Sequence, residues 1–308
     1  MSDREASGGQ PLVIGMIGLD TTRCPVYARL CNDPQHSRHV PGGVIRYGCR
    51  GGDPELAISR CRITAVTERL TGEWGMELLA TYEELAERSD AVMITSVSGR
   101  KHLEEFKAVA PFRKPVFIDK PLALTVRDAE EIGRLAERYG TPVMSASSLR
   151  FSPPLLEAAR QLKTEGICGA DAYGPMELED SQPGLFWYGI HAAEMLYAAL
   201  GTGCTEVQAF TSPEHEFVTG SWSGGRFGTI RGSRTGNPGF GAALHGRQRT
   251  LTLSDGPDPQ DKYAGTLRAL LRFFRSGIPE VSLSATLEII RFLEAANESR
   301  ATGRRVRL

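Results

Sequence analysis

Two side chains in this sequence are suited to proton transfer, and Lys120 is the first. It follows the apolar, strand-like segment Pro115–Asp119 and precedes Pro121. Ligands of open α/β sheets bind at the carboxyl ends of parallel strands, so a lysine at this point is a candidate catalytic residue. Partial burial there lowers the pKa of an amine towards the range in which it exchanges protons near neutral pH. An ordinary exposed lysine before a turn proline is the alternative.

His191 is the second side chain, at the start of the apolar helical segment Ile190–Leu200. The positive end of a helix dipole favours neutral imidazole, which accepts a proton from an alcohol. Tyr188 is a candidate catalytic partner for this ring, and Trp187 is suited to stacking on a sugar face. The alternative is a histidine bonded only to nearby backbone, with Trp187 in the core.

The first apolar segment ends in a turn where dinucleotide-binding domains carry G-x-G-x-x-G. Gly18 takes the first glycine position, Asp20 the second and Arg23 the third. In one interpretation, Arg23 and the N–H groups of Thr21 and Thr22 bind phosphate in an altered turn. In the other, Asp20 and the threonines cap the next helix and the phosphate site is degraded.

The tip of the second apolar segment bears on the choice of nucleotide. A Rossmann domain usually has an acidic residue there that binds the ribose 2′-hydroxyl of NAD. Here the tip is Arg50, and Asp53 follows three residues later. An arginine suits the 2′-phosphate of NADP, whereas Asp53 suits NAD. We therefore expect NAD or NADP as cofactor, with a slight preference for NADP.

The candidate residues above can form one site only if a sheet brings the ends of their strands together. The first half of the chain has the sequence pattern of such a sheet. Thr81 and Thr125 are predicted to cap helices, and Gly140 ends the second of these. Six apolar segments alternate with the helical ones: Leu12–Gly18, Val44–Cys49, Met76–Ala80, Ala91–Val97, Pro115–Asp119 and Pro142–Ser147. Strand–helix alternation of this kind predicts a Rossmann-type, doubly wound parallel sheet.

After the sixth strand the pattern changes to short strands in succession, with helices before and after them. The strands are predicted at Glu206–Phe210, Phe217–Trp222, Arg226–Arg231 and Gly241–His245, and the helices at Pro153–Leu162, Ile190–Leu200, Tyr263–Ser276 and Ser284–Arg300. This indicates an α+β domain with an open, mainly antiparallel sheet. We predict a disordered segment at 1–10, a dinucleotide-binding domain at 11–148 and a domain for substrate binding and oligomerisation at 149–308. Arg150, near the junction, suits a polyol or carboxylate substrate.

Composition excludes several classes of function. The chain has 36 basic and 37 acidic residues, so neither a nucleic-acid nor a membrane partner is expected. Its six cysteines form no C-x-x-C pair, and the polar N-terminus does not have the apolar core of a signal peptide. We therefore predict a cytoplasmic protein. The remaining histidines lack metal-ligand spacing, so no metal site is expected.

Three segments resemble the Gfo/Idh/MocA family, named for glucose–fructose oxidoreductase and inositol dehydrogenase. Residues 116–122 are similar to its strand-end E-K-P motif, with Asp119 in place of glutamate. Residues 95–102 look like a variant of its T-P-x-x-x-H segment, which ends here at His102. Residues 186–196 resemble its D-x-x-x-H segment; His191 matches the histidine, but Trp187 occupies the aspartate position.

The resemblance implies roles for these residues. Lys120 would lie beside the nicotinamide, orient the substrate hydroxyl and relay its proton, and His191 would face the substrate. Ser96, His102 and Asp119 join the turn residues as candidates for cofactor binding. The family's open sheets commonly pair face to face, which implies a homodimer or homotetramer.

The sequence therefore predicts an enzyme that transfers a hydride between NAD or NADP and a hydroxyl-bearing carbon of a sugar, cyclitol or related small metabolite. One alternative is a redox-neutral glycosidase of the same family, which oxidises its substrate transiently and then returns the hydride. The other is a non-catalytic sensor or scaffold. The replaced glycines and the missing aspartate favour that last alternative.

Overall fold

The computed structural model describes residues 10–256 and 258–308, which fold into two compact units. The first unit contains the residues up to 122 together with 130–145 and 263–281, and the second contains 123–129, 146–262 and 282–308. Segment 123–129, expected in the first domain, thus lies in the second unit, and 263–281, expected in the second domain, lies in the first. The disorder predicted for 1–10 falls, apart from Gln10, outside the described residues.

Six strands form the sheet of the first unit. They are β1 (Leu12–Ile17), β2 (Gly43–Cys49), β3 (Glu77–Leu78), β4 (Ala91–Ile94), β5 (Val116–Asp119) and β6 (Val143–Ala146). Their order across the sheet is β3-β2-β1-β4-β5-β6, and β1 pairs in parallel with both β2 and β4. The order reverses next to β1, which is where nucleotides bind in doubly wound sheets. The predicted Rossmann fold is confirmed.

The helices confirm the predicted caps. They are α1 (Arg23–Asn32), α2 (Ala57–Trp74), α3 (Tyr82–Arg88), α4 (His102–Val109), α5 (Val126–Tyr139), α6 (Pro153–Leu162), α7 (Gly189–Leu200), α8 (Gln260–Ser276) and α9 (Leu283–Thr302). The Thr81 hydroxyl accepts from the Glu84 N–H at 3.1 Å, and the Thr125 hydroxyl from the Asp128 N–H at 3.0 Å. No helix in residues 10–256 and 258–308 is both long and apolar enough to cross a membrane.

Seven strands form the sheet of the second unit. They are β7 (Ile167–Pro175), β8 (Cys204–Thr211), β9 (His215–Trp222), β10 (Arg226–Ser233), β11 (Gly241–Gly246), β12 (Thr250–Ser254) and β13 (Val306–Arg307). Their order is β12-β11-β7-β10-β9-β8-β13, and the pairs are antiparallel except β7 with β10. The predicted mainly antiparallel sheet is confirmed, although β7, β12 and β13 were not predicted.

One face of this second sheet packs tightly against helices. A Cβ added at Gly228 in β10 would lie 2.8 Å from the Cδ1 atoms of Leu196 and Leu200 on α7. Val207 and Val218 on the neighbouring strands are fully buried. The small side chain at position 228 therefore lets α7 approach the sheet backbone.

Candidate active site

Lys120 lies inside the first unit, directly after β5. Its side chain is 8% exposed, and its peptide bond with Pro121 is cis. Asp119, the last residue of β5, forms an ion pair with the guanidinium of Arg23 at the start of α1, and both members are largely buried. The burial of Lys120 does not fit an ordinary exposed lysine before a turn.

The surroundings of Lys120 adjust its acidity. Burial lowers the pKa of its amine to about 7; the positive charge of Arg23 acts in the same direction, and Asp119 opposes it. Near neutral pH this amine is therefore present in both protonation states. A side chain of this kind can accept a proton in one reaction direction and return it in the other.

His102 links the end of β4 to the turn that follows Lys120. Its Nε2 lies 2.9 Å from the Ser96 carbonyl oxygen, and its Nδ1 lies 2.9 Å from the Pro121 carbonyl oxygen. Ser96 and His102 are both fully buried. The resemblance implied that both residues bind the cofactor. Because both side chains are buried, they instead hold the surrounding backbone in place. Burial lowers the pKa of His102, which favours a neutral ring that donates to one carbonyl at a time.

Gly18 is required where the chain turns after β1. Its φ is +83°, and a Cβ there would lie 2.3 Å from the backbone nitrogen of Ser96. Its N–H donates to the Cys49 carbonyl at 3.1 Å, which ties the turn to the end of β2. The close approach of three strand ends leaves no room for a side chain at this position.

Asp20 takes neither of the two roles proposed for it from the sequence. It is fully buried, and its Oδ1 accepts from the Val97 N–H at 2.9 Å while its Oδ2 accepts from the Ser59 hydroxyl at 2.6 Å. The residue before α1 is Thr22, whose side chain makes no capping hydrogen bond. Asp20 therefore joins its own turn to the loop after β4 and to the first turn of α2, and it neither caps α1 nor presents its carboxylate to a phosphate.

Glu105 is a second buried carboxyl group close to this turn. Its Oε1 accepts from the Ser96 hydroxyl at 2.5 Å, and a Cβ added at Gly51 would lie 3.1 Å from the same oxygen. Burial raises the pKa of Glu105 to about 8, although the Ser96 hydrogen bond opposes the shift. At neutral pH Glu105 is therefore mostly protonated and adds little negative charge beside Gly18.

In this turn Thr22 is exposed, the Arg23 side chain is 14% exposed, and Thr21 is buried. Because Arg23 pairs with Asp119, its guanidinium is already engaged. At the start of α1 the Cys24 N–H donates to the Thr21 carbonyl at 3.1 Å, and Pro25 has no N–H. The groups of this turn that suit a pyrophosphate are the backbone N–H groups just before α1, those of Thr21 and Thr22.

A cavity of 460 Å³ lies at the carboxyl ends of β2 and β3. Its lining is formed by Cys49, Arg50, Gly51, Leu79, Ala80, Thr81, Tyr82 and Glu83. Arg50 is exposed, whereas Asp53 is buried and pairs with Arg100 at 3.2 Å. Arg50, and not Asp53, is thus available at this edge, where a Rossmann domain contacts the adenosine ribose. Together with the glycine turn, the cavity fits a dinucleotide.

In the second unit, His191 lies beside Ser147, the residue that follows β6. The His191 Nδ1 is 2.7 Å from the Ser147 Oγ. Tyr188 and Phe240 contact the ring edge-on, with centroids at 5.9 Å and 5.4 Å. Trp187, Tyr188 and His191 are all half-buried, so each keeps an accessible surface.

Arg150 and Glu194 form a buried ion pair in the same unit. The Arg150 Nη1 lies 2.8 Å from the Glu194 Oε2, and Glu194 is 1% exposed. Arg150, expected from the sequence to bind substrate, is thus paired with Glu194, a residue that was not predicted. A signal for Glu194 was present, since it is the one acidic residue in the apolar helix α7.

The fold of the first unit is that of a nucleotide-binding Rossmann domain. The model of a family described as an oxidoreductase family with an NAD-binding Rossmann fold, Gfo/Idh/MocA, matches residues 58–147. The matched stretch includes Ser96, His102 and Lys120. The resemblance inferred from the sequence is thus confirmed over this stretch, which is similar to the NAD-binding domain of Gfo/Idh/MocA oxidoreductases. A search among curated proteins finds no match.

Solved structures share the fold over nearly the whole chain. GenD2 from gentamicin A biosynthesis, solved with NAD, has a TM-score of 0.80 at 15% identity and covers 100% of this chain and 99% of its own. Myo-inositol 2-dehydrogenase from Lactobacillus plantarum has a TM-score of 0.79 at 16% identity, with 97% and 100% covered. A probable dehydrogenase from Thermotoga maritima has a TM-score of 0.78 at 19% identity, with 96% and 99% covered. At these identities the likeness establishes the fold.

Proposed function

We propose that this protein is an NAD(P)-dependent oxidoreductase that transfers a hydride between nicotinamide and a hydroxyl-bearing carbon of a sugar, cyclitol or related small metabolite. The observation that carries the proposal is the buried amine of Lys120, with a pKa of about 7, at the end of β5 in an NAD-binding domain. The dehydrogenases among the similar structures support the class of reaction.

The dinucleotide would be held by the turn after β1 and by the cavity beside β2. Gly18 keeps the turn open, and the N–H groups of Thr21 and Thr22 are suited to the pyrophosphate. Asp20 directs its carboxylate inward, so its oxygens do not contact the phosphate. The exposed guanidinium of Arg50 suits a 2′-phosphate, which favours NADP over NAD.

Lys120 would move the proton of the reaction. A bound nicotinamide supplies the hydride chemistry. As the carbinol carbon is oxidised, the neutral amine of Lys120 takes the proton from the hydroxyl oxygen, and a carbonyl remains. In the reverse direction the Lys120 ammonium returns this proton to the oxygen. His102 and the Arg23–Asp119 pair hold the chain on either side of the lysine.

The second unit favours an uncharged substrate. Arg150 would attract a carboxylate, but its charge is balanced by Glu194 at 2.8 Å. Trp187 is half-buried and contacts Tyr188, which in turn contacts the polar His191 ring. Aromatic rings close to a polar group suit a sugar or cyclitol with one apolar face and several hydroxyls. We therefore place polyols ahead of the carboxylates that the sequence left open.

A thermal-shift assay and a turnover assay test this proposal together. We expect NAD or NADP at about millimolar concentration to raise the melting temperature, because a ligand that binds only the native state stabilises it. We expect Lys120→Ala to lower turnover of polyols by about 10²–10⁴-fold and to keep the thermal shift. The exposed Lys163→Ala is the matched control.

The outcomes separate the three functions considered. If neither nucleotide raises the melting temperature, the cofactor proposal is wrong, and the result favours a non-catalytic sensor or scaffold. Release of nitrophenol from a glycoside without accumulation of reduced nicotinamide would indicate the redox-neutral glycosidase. No specific contact in residues 10–256 and 258–308 favours either alternative.

We also propose that two copies of this chain pair through the second sheet. Directly opposed residues form a row across four strands on its uncovered face, namely Phe210, Phe217, Arg231 and Tyr173. Phe227, four residues before Arg231 on β10, lies on the same face and is 63% exposed. Clustered exposed aromatic rings of this kind mark interaction surfaces. This supports the homodimer or homotetramer expected from the resemblance.

A further inference from the structure

The His191 imidazole has a defined hydrogen-bond partner in the second unit. Its Nδ1 lies 2.7 Å from the Oγ of Ser147, which is fully buried. The same Oγ accepts a hydrogen bond from the Leu149 N–H at 3.2 Å. His191 itself is half-buried, so the ring is fixed at one edge and accessible elsewhere.

The contact with Leu149 decides the direction of the bond between Ser147 and His191. A serine hydroxyl has one hydrogen to donate. When Oγ accepts from Leu149 and donates to Nδ1, every polar group involved has a partner. If Nδ1–H donated instead, the buried hydroxyl hydrogen would find no other acceptor within reach in the described part of the chain, which is costly. The neutral imidazole therefore carries its proton on Nε2.

A buried ion pair holds Ser147 in place. Glu194 accepts hydrogen bonds from the Ser147 backbone N–H and, at 2.8 Å, from the Arg150 Nη1. Glu194 lies three residues after His191 on α7, so the two side chains project from neighbouring turns of one helix face. The helix that carries the histidine thus also anchors its partner serine.

We propose that Ser147 is a positioning residue that holds His191 as the Nε2–H tautomer, so that His191 donates a hydrogen bond to the reacting oxygen of the substrate. This inference rests on the proposed function. A donor at Nε2 stabilises the negative charge that develops on that oxygen as its proton departs. In the family pattern an aspartate stands four residues before this histidine, and here that position is Trp187, which has no carboxylate to orient the ring. Ser147, directly after β6, orients the His191 ring instead.

Nitrogen NMR of histidine-labelled protein tests the inference without cofactor or substrate. The chain has six histidines, and His191→Gln identifies the resonances of interest. In the wild type we expect a protonated Nε2 and an Nδ1 resonance typical of a hydrogen-bonded acceptor. Ser147→Ala should move that Nδ1 resonance to the position of an unbonded acceptor. It should also lower kcat about five- to tenfold with little change in KM, because one net hydrogen bond favours the Nε2–H tautomer by about that factor.

Two further variants make the test specific. Ser147→Thr keeps the hydroxyl and should restore both the resonance and kcat, whereas Ser148→Ala, at the neighbouring buried serine, should alter neither. A protonated Nδ1 in the wild type, or a Ser147→Ala variant with unchanged resonance and kcat, would overturn the inference. If Ser147→Ala does not fold, the wild-type and Ser147→Thr spectra decide.

The failure of this inference is distinguishable from failure of the proposed function. Nicotinamide-dependent turnover together with an Nδ1–H tautomer would refute the role of Ser147 and leave the oxidoreductase proposal standing. The expected tautomer in a protein that neither binds nucleotide nor oxidises polyols would refute the proposed function instead. The role of His191 toward substrate would then fail with it.

Discussion

The guanidinium of Arg23 lies against the carboxylate of Asp119, the residue directly before Lys120 in the chain. The two charges act on the lysine in opposite directions. After burial, Arg23 is the main cause of the lowered pKa of Lys120, and Asp119 partly offsets it. The pair therefore fixes the end of β5 and also adjusts the pH at which the lysine amine becomes neutral.

We predict that variants of the two partners move the pH profile of oxidation in opposite directions. Arg23→Met removes the charge that disfavours the ammonium, so the pKa of Lys120 rises and kcat/KM increases only at higher pH. Asp119→Asn removes the charge that favours the ammonium, so the profile moves to lower pH. A displacement of about one pH unit or more is expected in each case, and kcat/KM measured across the pH range checks it.

The same two variants should lose stability, and a third variant serves as their control. Breaking a buried ion pair costs about 3–5 kcal/mol, so both variants should also unfold at lower denaturant concentration. The exposed Arg29→Met on the same helix should leave the profile unchanged. Displacement of both profiles in one direction would mean that Lys120 is not the group that titrates.

A second prediction concerns the residue at the second glycine position. Asp20→Gly restores the usual motif but removes the acceptor for the Val97 N–H and the Ser59 hydroxyl. Leaving such buried donors without partners costs about 1–3 kcal/mol each, so we expect a less stable protein with no tighter nucleotide binding. Urea unfolding and nucleotide titration measure the two effects.

Asp20→Asn is the matched control, because its amide oxygen still accepts from Val97. It should lose less stability than Asp20→Gly. Tighter nucleotide binding by Asp20→Gly would show that the aspartate does hinder the pyrophosphate, contrary to its inward direction in this structure.

A third prediction follows from the protonation of Glu105. Its carboxyl loses a proton near pH 4.5 in the unfolded chain but only near pH 8 in the folded protein. Between these values the folded state binds the additional proton, so the free energy of unfolding falls as pH rises. Glu105→Gln keeps a polar partner for Ser96 and does not titrate. We expect it to weaken this pH dependence and to be more stable than the wild type at high pH.

Urea unfolding at about pH 5 and about pH 9 measures this difference. The exposed Glu87→Gln provides the control and should change neither value. Equal pH dependence in the wild type and Glu105→Gln would mean that Glu105 ionises normally.

The sequence predicted the elements of this fold better than the contacts of the site. Five of the six parallel strands were found because buried parallel strands are largely apolar, whereas β3 is only Glu77–Leu78 and both of its residues are exposed. Strand β7 was missed because its inward positions carry Ala170, Ala172 and Gly174, which fit beneath neighbouring side chains but give no hydrophobic signal. The α7 helix followed from a local pattern, the apolar segment Ile190–Leu200.

The candidate site depends on contacts between distant parts of the chain, which local patterns do not contain. The role of Asp20 is set by Val97 and Ser59, which are 77 and 39 residues away. Ser147 lies 44 residues before His191, so its part in orienting the ring could not be inferred from spacing. Lys120 was found because strand order alone places it where ligands bind.

The last prediction concerns the uncovered aromatic face of the second sheet. If two copies pair through it, Phe227→Lys places an unpaired charge in the contact twice, once from each copy, and should convert the oligomer to monomers. Sedimentation velocity over a range of concentrations measures the change in mass. Ile278→Lys is the control, since Ile278 is 72% exposed in the first unit and should leave the assembly intact. A Phe227→Lys protein with the mass of the wild-type oligomer would place the subunit contact on another surface.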